Sequence, residues 1–199
     1  MSVRRPAPDE LQPKSFEFTQ ENLKIAQKNI AKYPADRKQS ALKSLLFLAQ
    51  KQYDGWLPTA AMDYIANMLE IPYIRVYEVA TFYTMFNLAP VGKYHIQLCG
   101  TTPCWLRGSD NIKHVCKKKL NLNVGGLTED KVFSLVEVEC LGACANAPMV
   151  QINDDYYEDL DEENFSRLLD DLAGGKKVKV GSQIGRKCSS PEREIQKQK

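Results

Sequence analysis

Four of the six cysteines in this 199-residue chain fall in two short loops, CGTTPC at residues 99–104 and CLGAC at residues 140–144. Close pairs of thiols have three established uses. They form disulfides. They hold zinc through four thiolates, with about two to four residues inside each pair. They hold an iron–sulfur cluster of the [2Fe–2S] type, which also takes four thiolates and tolerates a C-x4-C loop. Spacing alone leaves zinc and the cluster open.

The compartment bears on the choice. The chain is 43% hydrophobic and 26% charged, an ordinary globular balance, and no apolar run approaches the length of a membrane span. The N-terminal stretch MSVRRPAPDELQPKS has two arginines but no apolar core region, so a secretory signal is not expected, nor an intact mitochondrial transit peptide. A cytosolic reading follows, in which thiols start reduced and disulfides are disfavoured. The net charge of +2 hides an asymmetry: residues 154–171 hold nine acids and one arginine, whereas residues 174–199 hold eight basic residues and two acids. The expectation is a solvated acidic surface and a disordered basic tail, with docking of the tail on an acidic partner as the sharper reading.

The cysteines need elements to carry them. Tyr94, Ile96 and Leu98 alternate with His95 and Gln97, a strand that ends at Cys99. Ile112, Val115, Cys116 and Leu120 form a helical stripe. FSLVEVEC, residues 133–140, reads as a second strand and MVQI, residues 149–152, as a third; Phe165, Leu168, Leu169 and Leu172 mark a last helix. The β-α-β-β-α order is compatible with a thioredoxin-like layout. If the first two strands are parallel neighbours, both cysteine loops lie at the carboxyl edge of the sheet, where open α/β sheets bind ligands. Upstream, four helical stripes are expected between residues 16 and 88, with Thr19 as a cap and breaks at Pro34, Gly55 and Pro72. The domain plan is therefore a flexible N-terminus at 1–15, a four-helix domain at 16–90, an α/β domain at 91–173 and a basic tail at 174–199.

The loop residues Gly100, Thr101, Thr102, Gly142 and Ala143 are small and let backbone N–H groups approach sulfur. A four-thiolate zinc site and an oxidised [2Fe–2S] cluster each carry about two negative charges, and the cluster gains about one more on reduction. Amide donors, a helix N-terminus near Ser109 and Arg107 in the same turn would all favour such an anion.

LCGTTPCWLRGS together with VECLGACANAPMVQIN resembles the small iron–sulfur subunit of the NADH-dehydrogenase module of respiratory complex I, the 24-kilodalton or NuoE family. The likeness extends over most of residues 16–173, including GWLPTAAMDYIANML and VYEVATFYTMF. It implies an α+β chain: an N-terminal helical bundle followed by a thioredoxin-like [2Fe–2S] ferredoxin domain. It implies that Cys99, Cys104, Cys140 and Cys144 hold one cluster. It implies a flavoprotein partner that carries FMN and the NADH site, within the peripheral arm of a NADH:quinone oxidoreductase. Such an assembly sits on the cytoplasmic face of a bacterial inner membrane, or on the matrix side in a mitochondrion. No role in the resemblance attaches to the tail.

The remaining residues read plainly. Cys116 belongs to a core stripe, Cys188 to an exposed tail, and His95 and His114 to surface or edge positions. Pro148 stands just before a strand, where thioredoxin-like folds hold a cis proline; by the general preference a trans bond is expected. Tyr73, Tyr77, Phe82, Tyr83 and Phe86 follow helical spacing and are expected to pack rather than bind flavin. No G-x-G-x-x-G fingerprint follows a strand and no P-loop occurs, so no nucleotide site is expected. Two other functions stay in view. One is a diaphorase subunit of an NAD-linked hydrogenase or formate dehydrogenase. The other is a zinc-binding helix-turn-helix regulator, disfavoured because the recognition segment IPYIRVYEVATFYTMF has one arginine and no lysine.

Overall fold

The computed structural model describes residues 5–187; Cys188 lies outside them. The chain forms two compact units, Met1–Val91 and Gly92–Lys199.

The first unit is helical. Helix α1 spans Gln20–Ile30, and its cap forms as expected: the Thr19 hydroxyl accepts from Asn22 N–H at 3.2 Å. A 3-10 segment, Ala35–Ala41, follows Pro34 and leads into α2, Leu42–Gln52. Helices α3, Thr59–Leu69, and α4, Tyr73–Phe82, each start directly after a proline, whose fixed φ suits a helix entrance. The apolar stripes converge on a core in which Leu45, Leu46, Leu57, Met62, Ile65, Leu69 and Phe86 are fully buried. Truncating one of these, such as Leu46→Ala, costs about 2–5 kcal/mol. Val76 and Ala80 of α4 lie in this core, so the apolar face of the supposed recognition helix is used for packing.

Two expectations for this unit change. Residues 5–15 are tied down: Ala7 is buried and its N–H donates to Leu88 O at 2.8 Å, while Gln12 Oε1 accepts from Thr59 N–H at 3.0 Å. The Gln12 side chain thereby serves the first turn of α3, where Pro58 offers no capping side chain. Phe82 is 77% exposed instead of packed; it is the last residue of α4, beyond the turn whose Val76 and Ala80 reach the core.

The second unit is a five-stranded sheet with helices. Strand β1, Tyr94–Cys99, leads through the short helix α5, Thr102–Leu106, and α6, Ser109–Leu120, to β2, Phe133–Val138. After a 3-10 turn at Cys144–Asn146 come β3, Val150–Ile152, β4, Asp155–Glu158, helix α7, Glu162–Ala173, and β5, Gly181–Ser182. The sheet order is β2-β1-β3-β4-β5. Strands β1 and β2 are parallel, from Tyr94 opposite Phe133 to Cys99 opposite Val138; β3 is antiparallel to both β1 and β4. Helix α7 begins with a complete capping box: Asp161 accepts from Asn164 N–H at 2.7 Å, and the Asn164 side chain accepts from Asp161 N–H at 2.9 Å. Ile96, Leu98, Ile112, Cys116, Leu135 and Phe165 are at most 1% exposed and form the centre of this core. Cys116 is a core residue, as its stripe suggested.

Here the structure corrects four expectations. Strand β2 stops at Val138, two residues short of Cys140, because its parallel neighbour β1 ends opposite it at Cys99. Strand β4 lies inside the acidic run: the Asn153-Asp154 turn, with Asn153 at φ 56°, returns the chain so that Tyr157 and Glu158 are buried. Residues 174–187 are not a loose tail. Strand β5 pairs in parallel with β4, and basic residues of this segment meet the chain's own acids, Lys176 with Asp171 at 2.8 Å and Arg186 with Asp159 at 3.0 Å. The Ala147–Pro148 bond is cis, against the general trans preference and in line with the place of this proline just before a strand of a thioredoxin-like layout.

Candidate functional site

The parallel pairing of β1 and β2 sends both cysteine loops off the same end of the sheet. Cys99 closes β1. Cys104 sits on α5, whose start is set by Pro103 in its first turn. Both are buried, at 2% and 1% exposure, in a small apolar cluster with Ala147 and Met149. Cys140 and Cys144 are exposed and sit in irregular backbone, Cys144 opening the 3-10 turn. Their sulfurs are 3.4 Å apart. All four thiols are free of disulfides.

The sulfurs interact as one group. The Cys99 thiol acts electrostatically on Cys104, Cys140 and Cys144, and Cys144 acts on Cys104. Among the described residues no three His, Cys, Asp or Glu side chains converge as around a single metal ion; the thiols stand as a buried pair and an exposed pair.

Their surroundings stabilise thiolate unevenly. Burial pushes the Cys99 thiol up, but hydrogen bonds from the Thr101 hydroxyl and from the Thr101 and Leu141 amides outweigh it, so Cys99 lies below the ordinary cysteine range. The Thr101 hydroxyl is 3.3 Å from Cys99 Sγ. Cys104 is pushed up to about 12, first by burial and then by Cys99. Cys140 is lowered, chiefly by the Gly142 N–H at 3.4 Å from its sulfur, and Cys144 is raised by Cys140 beside it. Two thiols thus already carry donors suited to thiolate, and the other two are held up by burial and by a neighbouring sulfur. A metal centre reverses that penalty, because its cation favours the deprotonated ligand. Four thiols in two pairs, with amide and hydroxyl donors on the sulfurs, fit a two-iron cluster, which takes thiolates in pairs on two irons.

Thr101 is the residue that sequence reasoning undervalued: its hydroxyl lies 3.3 Å from Cys99 Sγ, and it also helps to lower the Cys140 thiol of the other pair. Glu137, on the approach to the exposed pair, forms an ion pair with Lys113 at 2.8 Å, and Lys113 in turn reaches Asp110 at 3.3 Å. Arg107 points its Nε at Ala147 O, at 3.5 Å. His95 is half-buried at the far end of β1 from Cys99, with Nδ1 2.8 Å from Ser134 Oγ, and burial lowers it to about 4; it takes no part in the thiol group. No helix among the described residues is long and apolar enough to cross a membrane.

Comparison with known proteins carries the same geometry to a family. The model of the thioredoxin-like [2Fe–2S] ferredoxin family matches residues 26–173. The E subunit of NADH-quinone oxidoreductase from Rickettsia bellii is 61% identical over 158 residues, covering 79% of this chain and 95% of that protein. The mitochondrial NADH dehydrogenase [ubiquinone] flavoprotein 2 of Dictyostelium discoideum is 52% identical over 174 residues, covering 87% of this chain and 70% of that protein. A crystal structure of an NAD+-reducing [NiFe]-hydrogenase superposes with a TM-score of 0.58 at 20% identity, over 65% of this chain and 23% of that longer one, a likeness of fold. A sheet that gathers four thiols at one edge and relatives this similar over most of their length lead to one family: the chain belongs to the thioredoxin-like [2Fe–2S] ferredoxins of the kind that includes the E subunits of NADH-quinone oxidoreductases.

Proposed function

We propose that Cys99, Cys104, Cys140 and Cys144 together hold one [2Fe–2S] cluster, and that the chain transfers electrons as a subunit of an NADH-quinone oxidoreductase. The observation that supports this best is the delivery of two cysteine loops to one sheet edge by the parallel β1–β2 pair. Bound there, the cluster supplies one-electron chemistry. The chain's own residues do the rest. Cys99 and Cys104 anchor the buried side, Cys140 and Cys144 the exposed side, and the Thr101 hydroxyl and Gly142 amide hold negative charge on sulfur. The exposed pair leaves one side of the centre open to an electron donor.

The donor is a flavoprotein partner carrying FMN and the NADH site, since the sequence holds no dinucleotide fingerprint of its own. The assembly stands at the cytoplasmic face of a bacterial inner membrane, or the matrix side in a mitochondrion. Membership in a hydrogenase diaphorase is the weaker reading, because that likeness is one of fold at 20% identity against 61% for the Rickettsia bellii protein.

The test is anaerobic purification of the full chain with iron and acid-labile sulfide analysis. Equimolar iron and sulfide, charge-transfer bands in the visible and an EPR signal on reduction are expected. Zinc without labile sulfide would overturn the assignment. NADH should not be oxidised by the chain alone, and should reduce it once the flavoprotein is added.

A further inference from the structure

The segment after α7 has a task that neither the resemblance nor the relatives' names assign. From β5 the chain returns to the exposed cysteine loop and inserts Arg186 beneath it. Arg186 Nη2 donates to Ala145 O and to Asn146 Oδ1 at 2.8 Å, and forms an ion pair with Asp159 Oδ1 at 3.0 Å. Ala145 directly follows Cys144, and Asn146 ends the 3-10 turn that Cys144 opens. The guanidinium is itself held. Asp159 is 6% exposed on its side chain and also accepts from Ser182 Oγ at 2.6 Å, while the Arg186 amide donates to the same Ser182 oxygen at 2.9 Å. Asn146, 1% exposed, donates from its amide to the buried Glu158 at 2.7 Å. On the other side of the loop, Tyr156 Oη donates to Leu141 O at 2.8 Å.

The loop from Cys140 to Asn146 therefore has little regular structure of its own and is pinned at both ends by side chains from β4 and from the segment that follows β5. We propose that Arg186 is a positioning residue for Cys144: it clamps the 3-10 turn so that the fourth sulfur is presented to the metal centre in a fixed place. The proposal rests on the cluster assignment above for its functional meaning, but the clamp is a property of the chain. All three contacts fall on the one nitrogen Nη2, while the buried Nε has no partner among the described residues. Arginine suits the place through a rigid planar group that keeps its charge, where lysine offers a compact ammonium on a flexible stem.

The experiment compares the full chain with Arg186→Gln, Arg186→Lys and Asp159→Asn. In cluster-loaded protein, iron release to a chelator is timed and the EPR line shape of the reduced form recorded. In iron-free protein, hydrogen exchange is followed at the Asn146 and Ala147 amides, which close the turn onto Ala143 O and Cys144 O. Loss of a residue that orients a ligand typically weakens metal holding by about 10–100-fold, so release from Arg186→Gln should be accelerated on the order of tenfold, with a changed line shape and faster exchange at both amides. Arg186→Lys should recover only part of this, and Asp159→Asn should loosen the turn while keeping the fold. Release within twofold of the wild type, with unchanged exchange and line shape in Arg186→Gln, would overturn the clamp. Should Arg186→Gln fail to fold, the same comparison in Asp159→Asn and Arg186→Lys decides. Should the wild type take up no iron and sulfide, the cluster assignment fails, and the exchange rates alone decide whether Arg186 holds the turn.

Discussion

The two cysteine pairs are built in different ways. Cys99 and Cys104 lie on a strand end and a helix, are buried, and share an apolar cluster with Ala147 and Met149. Cys140 and Cys144 lie past the end of β2, are exposed, and owe their place to hydrogen bonds from Gly142, Tyr156 and Arg186. One pair is positioned by packing and ladder bonds, the other by side chains reaching in from later in the chain. Packing is non-directional and tolerant of small shifts; a hydrogen-bonded loop is directional, and fails when a single partner is lost. The contrast makes the exposed pair the adjustable side of the centre.

The largest effect should come from the four proposed ligands. Serine at any of the four positions should abolish or severely weaken cluster binding, whereas Cys116→Ser should retain it, as measured by labile sulfide. The iron-free chains should then separate the pairs. Cys104→Ser leaves a hydroxyl in an apolar site and should cost about 1–3 kcal/mol, while Cys144→Ser at the exposed turn should stay within about 0.5 kcal/mol. Equal losses in urea unfolding would break the comparison.

The sheet that carries the buried pair has its weak point at acid pH. His95 is lowered to about 4 by burial, against about 6.5 in the unfolded chain. The unfolded state therefore binds the proton more readily between those values, and the contribution of neutral His95 is present above pH 6.5 and lost as pH falls towards 4. The loss is at most about 3–4 kcal/mol. Urea unfolding of the iron-free chain at pH 7 and pH 4.5 should show a steeper decline in the wild type than in His95→Gln. Identical slopes would place the acid sensitivity in other groups.

Two glycines sharpen the contrast at a smaller scale. A Cβ at Gly100, beside Cys99, would stand 2.3 Å from Glu137 Oε1. Gly100→Ala must displace Glu137 and disturb its ion pair with Lys113, and adding Glu137→Ala should relieve it. At Gly142 a Cβ would meet nothing within 4 Å, but the residue sits at φ +83°. Gly142→Ala should cost about 1–2 kcal/mol through backbone strain, and asparagine should be tolerated better. Rescue of Gly142→Ala by trimming a neighbouring side chain would contradict this division between crowding and strain.

The smallest effect is electrostatic. Glu137 is compensated by Lys113 at 2.8 Å, so Lys113→Gln should lower the cluster's midpoint potential and Glu137→Gln should raise it. Each shift should be a fraction of the ~59 mV that corresponds to tenfold in a one-electron equilibrium, and smaller at high salt. EPR-monitored redox titration of the two variants reads the sign; an unmoved potential at low salt would leave the backbone donors around Thr101 and Gly142 as the setting influence.

Much of the molecule is legible in the amino-acid order: the cysteine pairs, the helix entrances at Thr19, Pro58 and Pro72, the core stripes of α2, α3, α6 and α7, and the alternation of β1. All of these rest on local chemistry: spacing within a loop, capping side chains, and period. The family likeness is equally legible, because its motifs are continuous stretches. Features that depend on partners distant in the chain emerge only on folding. Strand β2 ends where β1 ends. Tyr156 and Tyr157 become a strand inside an acidic run because β3 lies beside them. The basic segment is ordered because β4 offers it an edge and Asp159 offers Arg186 a buried charge. Phe82 is exposed and the Thr101 hydroxyl meets Cys99 for the same reason: a side chain's surroundings are set by which elements pack together, and neither period nor spacing encodes that.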